Sequence, residues 1–130
     1  PNRGECAMLT GMPVADAAGA ERAADALLAR GVRHVVVTLG SEGALVKGPE
    51  SCERVAARRV EAVDTTGAGD LYAAGFLSGL CEGLTLRQCG TIGAIVAGKV
   101  IEVVGTTFSE EAWQHAFQLV EKVRSEKYLF

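Results

Sequence analysis

Residues 64–70 read Asp-Thr-Thr-Gly-Ala-Gly-Asp, a short turn whose residue types can hold an anion beside a carboxylate. The turn follows a β-branched segment (55–63) and opens an apolar run (71–80), so we predict a strand-to-helix turn. Because Gly67 and Gly69 lack a Cβ, the backbone N–H groups of 67–70 can converge at the helix start and bind an anion. Asp70 can then accept a proton from an attacking hydroxyl, which suits phosphoryl transfer. A common turn with a carboxylate that serves only the helix dipole is the alternative.

Residues 64–70 resemble the DTxGAGD signature of the ribokinase-like (PfkB) carbohydrate and nucleoside kinases and match it at every fixed position. The resemblance implies that Asp70 is the catalytic base and that the backbone of Gly67, Ala68 and Gly69 forms the anion hole. It also implies an ATP-dependent kinase that transfers the γ-phosphoryl group to a hydroxymethyl group of a sugar or nucleoside.

Asn2 and Glu5 lie three residues apart near the start of the chain. This spacing is typical of residues that cap and open a short helix. The pair is also similar to the N-x-x-E motif of the same family. That similarity implies that Asn2 and Glu5 hold the ATP phosphates and Mg²⁺, with the glutamate acting through metal-bound water.

Residues 38–43 read Thr-Leu-Gly-Ser-Glu-Gly and follow a β-branched run. A β-hairpin would explain both glycines without any ligand. The six residues are also similar to the TLGxxG nucleotide loop of the family, at the end of a strand where α/β sheets bind ligands. The similarity implies that ATP is contacted by Thr38, Leu39, Gly40, Ser41, Glu42 and Gly43.

Thr85 and Gln88 have the spacing of a capping box, which predicts a helix that extends to about residue 102. Its small residues permit close approach of a neighbouring helix or of a flat adenine ring: Gly90, Gly93, Ala94, Ala97 and Gly98. In the family this helix flanks the adenine, so the resemblance implies a contact from Ala94. Relatives often carry a polar residue at that place, which here leaves base recognition to shape and backbone.

Residues 100–109 resemble the monovalent-cation loop of the family, in which backbone carbonyls and a hydroxyl join the first aspartate of the signature. The resemblance implies a K⁺ site formed by Asp64, Thr66, Val100, Val103, Gly105 and Ser109. Ser109 followed by two glutamates is equally well explained as the start of the last helix.

The composition favours a single domain of 130 residues with a small-molecule substrate. The net charge is −3 and no basic residues cluster, which argues against nucleic acid or an anionic membrane as a partner. The four cysteines form no C-x-x-C pair, so we predict buried free thiols. No signal peptide or membrane-spanning run is present in the sequence, which predicts a cytoplasmic protein. We further expect a homodimer of the full-length enzyme.

Hydrophobic spacing predicts the remaining elements. Apolar residues at 20, 23, 24, 27 and 28 predict a helix over 16–30 that ends at Gly31. The run 34–39 predicts a strand buried on both faces of a parallel sheet within a βαβ unit, with His34 as a structural residue. Further strands are predicted near 52–57 and 58–63. We predict that Tyr72 and Phe76 pack in the core and that the last helix buries Trp113, Ala116, Phe117 and Val120.

The predicted fold class is α/β, a three-layer α/β/α ribokinase-like sandwich. Residues 1–130 would form its C-terminal nucleotide-binding and catalytic portion, and we expect the N-terminal substrate and lid portion to be absent. Residues 71–77 and 103–105 look closer to adenosine-kinase-like and general sugar-kinase members than to ribokinase proper. A hydroxymethylpyrimidine-type kinase and a non-catalytic nucleotide-binding relative remain as alternatives, although an intact Asp70 argues against the latter.

Overall fold

The structure, a computed structural model, describes residues 1–60, 65–102 and 109–125, in which two helices precede three strands and three further helices follow them. The elements are α1 (Arg3–Thr10), α2 (Ala17–Leu28), β1 (Val35–Thr38), a 3-10 turn (Gly40–Glu42), β2 (Ala44–Lys47), β3 (Cys52–Val55), α3 (Ala68–Cys81), α4 (Leu86–Val100) and α5 (Glu110–Arg124).

The three strands form one antiparallel sheet in the order β1-β2-β3. Val36 pairs with Val46 and Leu45 with Arg54. The predicted parallel sheet is therefore wrong for these strands, because only five residues connect β1 to β2. A parallel neighbour needs a crossover of about a dozen residues. The hairpin explanation of residues 38–43 is confirmed.

One parallel contact does occur, between the residue preceding α1 and the last residue of β1. Asn2 and Thr38 form an isolated parallel bridge, and the Thr38 N–H donates to the Pro1 carbonyl at 2.9 Å. Two helices lie between these residues, as in a βαβ unit. The bridge places the start of α1 beside the glycine-containing turn that follows β1.

Helices cover both faces of the sheet, which confirms the three-layer α/β/α arrangement. On one face, α1 and α2 pack against alternate residues of the first two strands, in a core of Cys6, Ala20, Ala23, Ala24, Val35, Val37, Leu39 and Leu45. On the other face, α3 and α4 pack against Ala44, Val46 and Val55. Tyr72 and Phe76 are buried in this second core, as predicted.

The helices α3 and α4 approach each other closely through small residues. A Cβ added to Gly93 would lie 2.8 Å from the Tyr72 carbonyl oxygen, and one added to Gly75 would lie 3.0 Å from the Gly93 Cα. Such contacts leave no room for side chains. The predicted close helix approach is confirmed, and it fixes the first half of α3 against the middle of α4.

The buried face of α5 differs from the prediction. The buried residues are Ala116, Leu119, Val120 and Val123, which pack against Ile92 and Ile95 of α4. Trp113 and Phe117 were predicted to be buried, but they are 36% and 57% exposed and stack on one another with ring centroids 5.8 Å apart. The sequence of α5 contains two overlapping apolar faces, one aromatic and one aliphatic. The aliphatic face is the one that packs on α4.

Two other boundaries differ from the predictions. Residues 56–60 follow β3 without forming a strand, so the described part of the predicted strand 58–63 is wrong. The helix α2 ends at Leu28, and Gly31 lies beyond its cap with φ +101°. The helix α3 begins at Ala68, so Asp70 lies in its first turn, as predicted.

Cys6 and Cys89 are buried, and burial raises the pKa of both thiols. Cys52 and Cys81 are also free, but both are exposed, so the predicted burial is wrong for these two. Within residues 1–60, 65–102 and 109–125, no helix has the length and hydrophobicity needed to cross a bilayer.

Candidate active site

Two adjoining cavities meet at the start of α3. The first has a volume of about 720 Å³ and the second about 420 Å³. Both are lined by Asn2, Thr38, Gly69 and Tyr72. The sequence-predicted residues on the first cavity are Asn2, Thr38, Gly40, Ser41, Gly43, Ala68, Gly69 and Ala94. Those on the second are Asn2, Glu5, Thr38, Gly69 and Asp70.

The start of α3 has the geometry of an anion-binding helix end. Gly67 is the N-cap with φ +78°, a left-handed conformation that favours glycine, and no side chain caps the helix. The Ala68 N–H donates to the Thr65 carbonyl at 3.2 Å. The N–H groups of Gly69 and Asp70 belong to the first turn, where a helix offers no internal acceptor. These donors and the helix dipole can stabilise a phosphate.

Asp70 is the third residue of α3, is exposed and lines the second cavity together with Glu5. Its carboxylate therefore lies on one side of the helix start, while the first cavity lies on the other. Gly69 contributes to both cavities. A group transferred past Gly69 would pass from the first cavity towards the Asp70 carboxylate.

Asn2 and Glu5 form a capping box at α1. The Glu5 N–H donates to Asn2 Oδ1 and the Asn2 N–H donates to Glu5 Oε2, both at 2.9 Å. The capping explanation of this motif is confirmed. Both residues also line the second cavity, so the motif carries out a structural role at the place where its phosphate and Mg²⁺ role is predicted.

Some residues of the turn that follows β1 line the first cavity, and the others contact the rest of the fold. Gly40, Ser41 and Gly43 line the first cavity. Leu39 is buried in the core beneath the turn, and Glu42 is ion-paired with Arg3 at 2.6 Å instead of lining the cavity. The ion pair ties the turn to the first residue of α1.

The two cavities differ in charge. Arg58 and Arg59 line the first cavity, and none of its described lining residues is acidic. Glu5 and Asp70 line the second cavity, and no lysine or arginine occurs among its described lining residues. The first cavity therefore suits a polyanion, whereas the second offers carboxylates for a cation or a proton.

The small residues of α4 form one wall of the first cavity. Ala94, Ala97, Gly98 and Ile101 line it, and Ala94 is buried. A flat apolar ring can lie against such a wall. Tyr72 forms part of the floor, and burial raises the pKa of its hydroxyl, which has no hydrogen-bond partner among the described residues.

The predicted K⁺ site falls partly on residues 61–64 and 103–108. Asp64, Val103 and Gly105 lie outside the described residues. Val100 is fully buried at the end of α4, and Thr66 is exposed in the turn before α3. The Ser109 hydroxyl accepts from the Ala112 N–H at 3.2 Å, so its alternative role as the cap of α5 is confirmed.

Sequence reasoning missed Arg58, Arg59 and Thr65 as cavity residues. The signal was present, because two adjacent arginines precede the signature by only a few residues. The predicted strand over 58–63 includes both arginines, and a strand in the sheet would not bring them to a ligand. Among the described residues, no group of three His, Cys, Asp or Glu side chains could hold a metal ion.

The chain is similar to several known proteins. Residues 1–113 match the pfkB family of carbohydrate kinases. The 1-phosphofructokinase of Haloferax volcanii is 41% identical over 106 residues, which cover 82% of this chain and 35% of that protein. The adenosine kinase of Sinorhizobium meliloti has a TM-score of 0.75 at 41% identity, over 90% of this chain and 34% of that one.

The structure of Arabidopsis thaliana ribokinase complexed with ribose and ATP has a TM-score of 0.80 at 28% identity, over 91% of this chain and 39% of that one. The chain thus spans little more than a third of the length of these relatives. The family match covers most of the chain and includes the cavities and the start of α3. The chain belongs to the pfkB family of carbohydrate kinases.

Proposed function

We propose that this chain supplies the ATP-binding and catalytic part of a kinase that phosphorylates a hydroxymethyl group of a sugar or nucleoside. One observation carries the proposal: the start of α3 lies in the wall shared by an arginine-lined cavity and a cavity that holds Asp70. The first cavity would bind ATP, and the second would receive the acceptor hydroxyl.

In this arrangement the acceptor oxygen attacks the γ-phosphorus, and the bond from that phosphorus to the bridging oxygen of ADP breaks. Asp70 accepts the proton of the attacking hydroxyl. The N–H groups of the first turn of α3 stabilise the charge on the transferred group. The products are ADP and the phosphorylated acceptor, with the proton held on the Asp70 carboxylate.

Carboxylate oxygens are the ligands that Mg²⁺ prefers, and the Glu5 and Asp70 side chains line the same cavity. We propose that Glu5, together with Asn2, holds a Mg²⁺ ion through water and through the phosphates. The ion would supply positive charge to the β- and γ-phosphates. Glu5 already accepts a hydrogen bond from the Asn2 backbone, which fixes the orientation of its carboxylate.

A K⁺ ion near Thr66, Val100 and Ser109 is a further part of the proposal. The carbonyl groups at the end of α4, where Val100 is the last residue, carry the negative end of a helix dipole. A cation there would lie close to the turn that begins α3. Its role would be to hold the turn in position.

The proposed substrate belongs to one class of compounds, sugars and nucleosides that carry an acceptor hydroxyl. The relatives described above are named 1-phosphofructokinase, adenosine kinase and ribokinase. Sugars and nucleosides of these kinds all carry hydroxyl groups that can accept a phosphoryl group. We propose that residues outside this chain choose among such acceptors, since the chain matches only about a third of each relative. An assay of the full-length protein with ATP and each acceptor tests the proposal. We expect ADP release that depends on one of these acceptors. ATP binding with no acceptor-dependent ADP release would contradict the proposal.

Gly69→Ala tests the anion hole without disturbing the fold. A Cβ at Gly69 would meet nothing within 4 Å and the residue has no positive φ, so the described fold does not require glycine there. We expect unchanged stability or a gain of up to about 1 kcal/mol. Because Gly69 lines both cavities, the added methyl group would crowd the proposed phosphate position, so ATP affinity should fall at least about 10-fold. Thermal unfolding and calorimetric titration measure the two effects.

Gly67→Ala is the contrasting variant, because Gly67 has φ +78°. It should lose about 1–2 kcal/mol of stability from the left-handed conformation alone. If Gly69→Ala bound ATP as tightly as the parent protein, phosphate would not lie at the start of α3.

A further inference from the structure

Arg58 lies in the segment that connects β3 to the signature turn, and its side chain lines the first cavity. The stem of this side chain packs on α4. A Cβ added to Gly98 would lie 3.4 Å from both the Cβ and the Cδ of Arg58. The stem therefore runs along α4, and the guanidinium group is carried at the wall of the cavity.

The guanidinium group lacks a protein partner for one of its nitrogens. Arg58 NH1 is inaccessible to solvent and has no hydrogen-bond acceptor among the described residues. The carboxylate at this end of α4, Glu102, pairs with Lys99 at 3.3 Å. No described residue that lines the first cavity is acidic. A buried guanidinium nitrogen without an acceptor is unfavourable, so a ligand that provides one would be stabilised.

We propose that Arg58 binds the nucleotide in the first cavity, its guanidinium donating to acceptor atoms of the ligand. This inference rests on the proposed ATP site. The Cβ and Cδ of Arg58 lie against Gly98, and rotation about the terminal bonds of the side chain would turn NH1 from its sealed position towards the cavity. The NH1 nitrogen of Arg58 would then gain a hydrogen-bond acceptor when the nucleotide binds.

The chemistry that Arg58 recognises is a pair of acceptor atoms, since a guanidinium group has five donors and no acceptor. A nucleotide offers such atoms in two places. Phosphate oxygens pair with the fork in a bidentate manner, and the ring nitrogens and carbonyl groups of purines accept from the same fork. Ligands that contain only one of the two parts distinguish these sources.

The experiment is calorimetric titration of the full-length protein with ATP, adenosine and tripolyphosphate. Arg58→Met keeps an unbranched stem against α4 and removes the donors, so ATP affinity should fall roughly 10- to 100-fold. A parallel loss for tripolyphosphate, with adenosine unchanged, would assign the contact to the phosphates. A loss confined to ATP and adenosine would assign it to the base. The matched control is Arg54→Met, an exposed arginine of β3 outside both cavities, which should bind all three ligands normally.

Thermal unfolding without ligand separates binding from a structural role. Removing a guanidinium group that has one buried, unpaired nitrogen should leave the unfolding temperature of Arg58→Met unchanged or raise it. Arg58→Lys keeps the charge but not the fork, and it should restore part of the ATP affinity. Affinities of Arg58→Met within twofold of the parent for all three ligands would overturn the inference, as would a clearly lower unfolding temperature with unchanged affinity. Absence of ATP binding by the parent protein would instead overturn the proposed function, and this inference with it.

Discussion

Asp70→Asn in the full-length protein is expected to lower kcat by at least about 100-fold while ATP affinity stays within a few-fold of the parent value. The amide cannot accept the proton of the attacking hydroxyl, but it has nearly the shape of the carboxylate. Asp70 lines the second cavity and not the first, so the loss should fall on the chemical step and not on nucleotide binding. Steady-state kinetics and ATP titration measure the two quantities.

The appropriate control is Glu111→Gln, because Glu111 is also an exposed carboxylate in the first turn of a helix, far along the chain from the site. Both substitutions remove a favourable interaction with a helix dipole, which contributes about 0.3–1 kcal/mol to stability. Glu111→Gln should therefore shift unfolding slightly and leave kcat unchanged. Turnover of Asp70→Asn within tenfold of the parent would mean that Asp70 serves only the helix.

The second large effect is expected for Gly43→Ala, in the turn between β1 and β2. Gly43 has φ +90° and ψ −133°, a conformation that side chains rarely adopt. A Cβ there would overlap the Val55 carbonyl oxygen and lie 2.8 Å from the Ala57 nitrogen. Strain and overlap together should destabilise the protein by about 3 kcal/mol or more, measured by denaturant unfolding. ATP affinity should also fall, since the displaced turn lines the first cavity.

Gly40→Ala in the same turn is the matched control. Gly40 has φ +60°, but a Cβ would meet nothing within 4 Å. Only the cost of the left-handed conformation remains, about 1–2 kcal/mol. Equal destabilisation by the two substitutions would show that Gly43 is not in close contact with residues 55–57.

The sequence alone was sufficient to predict the start of α3, because short-range features determine it. The glycines, the aspartate and the apolar run that follows all act within one or two turns of helix. The capping box at Thr85 was predicted for the same reason, and a cap at Asn2 was one of the two explanations of its spacing to Glu5. Local hydrogen bonds of this kind depend on spacing along the chain and little on the rest of the fold.

The direction of the sheet could not be predicted in the same way. The run 34–39 was predicted to be buried on both faces, and helices do cover both sides of β1. Side-chain burial reveals which faces are covered, but it carries no information on the direction of the neighbouring strand. That direction was determined by the short connection from Thr38 to Ala44, which permits only a hairpin.

The wrong predictions for Arg58, placed in a strand, and for Phe117, placed in the core, also have a physical cause. Residues 56–60 resemble a strand locally, but they pair with no strand in the described structure and instead line a cavity formed by distant elements. In α5, two apolar faces overlap, and the surface of α4 selects the one with smaller residues. Such choices depend on tertiary contacts that spacing along one segment does not contain.

Calorimetric titration of residues 1–130 with ATP is the most direct test of the central claim that this chain carries the nucleotide site of a kinase. We predict saturable binding at one site per chain and at least about 10-fold weaker binding by the Gly69→Ala variant. If the residues that position the acceptor lie outside this chain, as proposed above, the chain should transfer little phosphate to adenosine, ribose or fructose. Absence of ATP binding by the folded chain would contradict the claim.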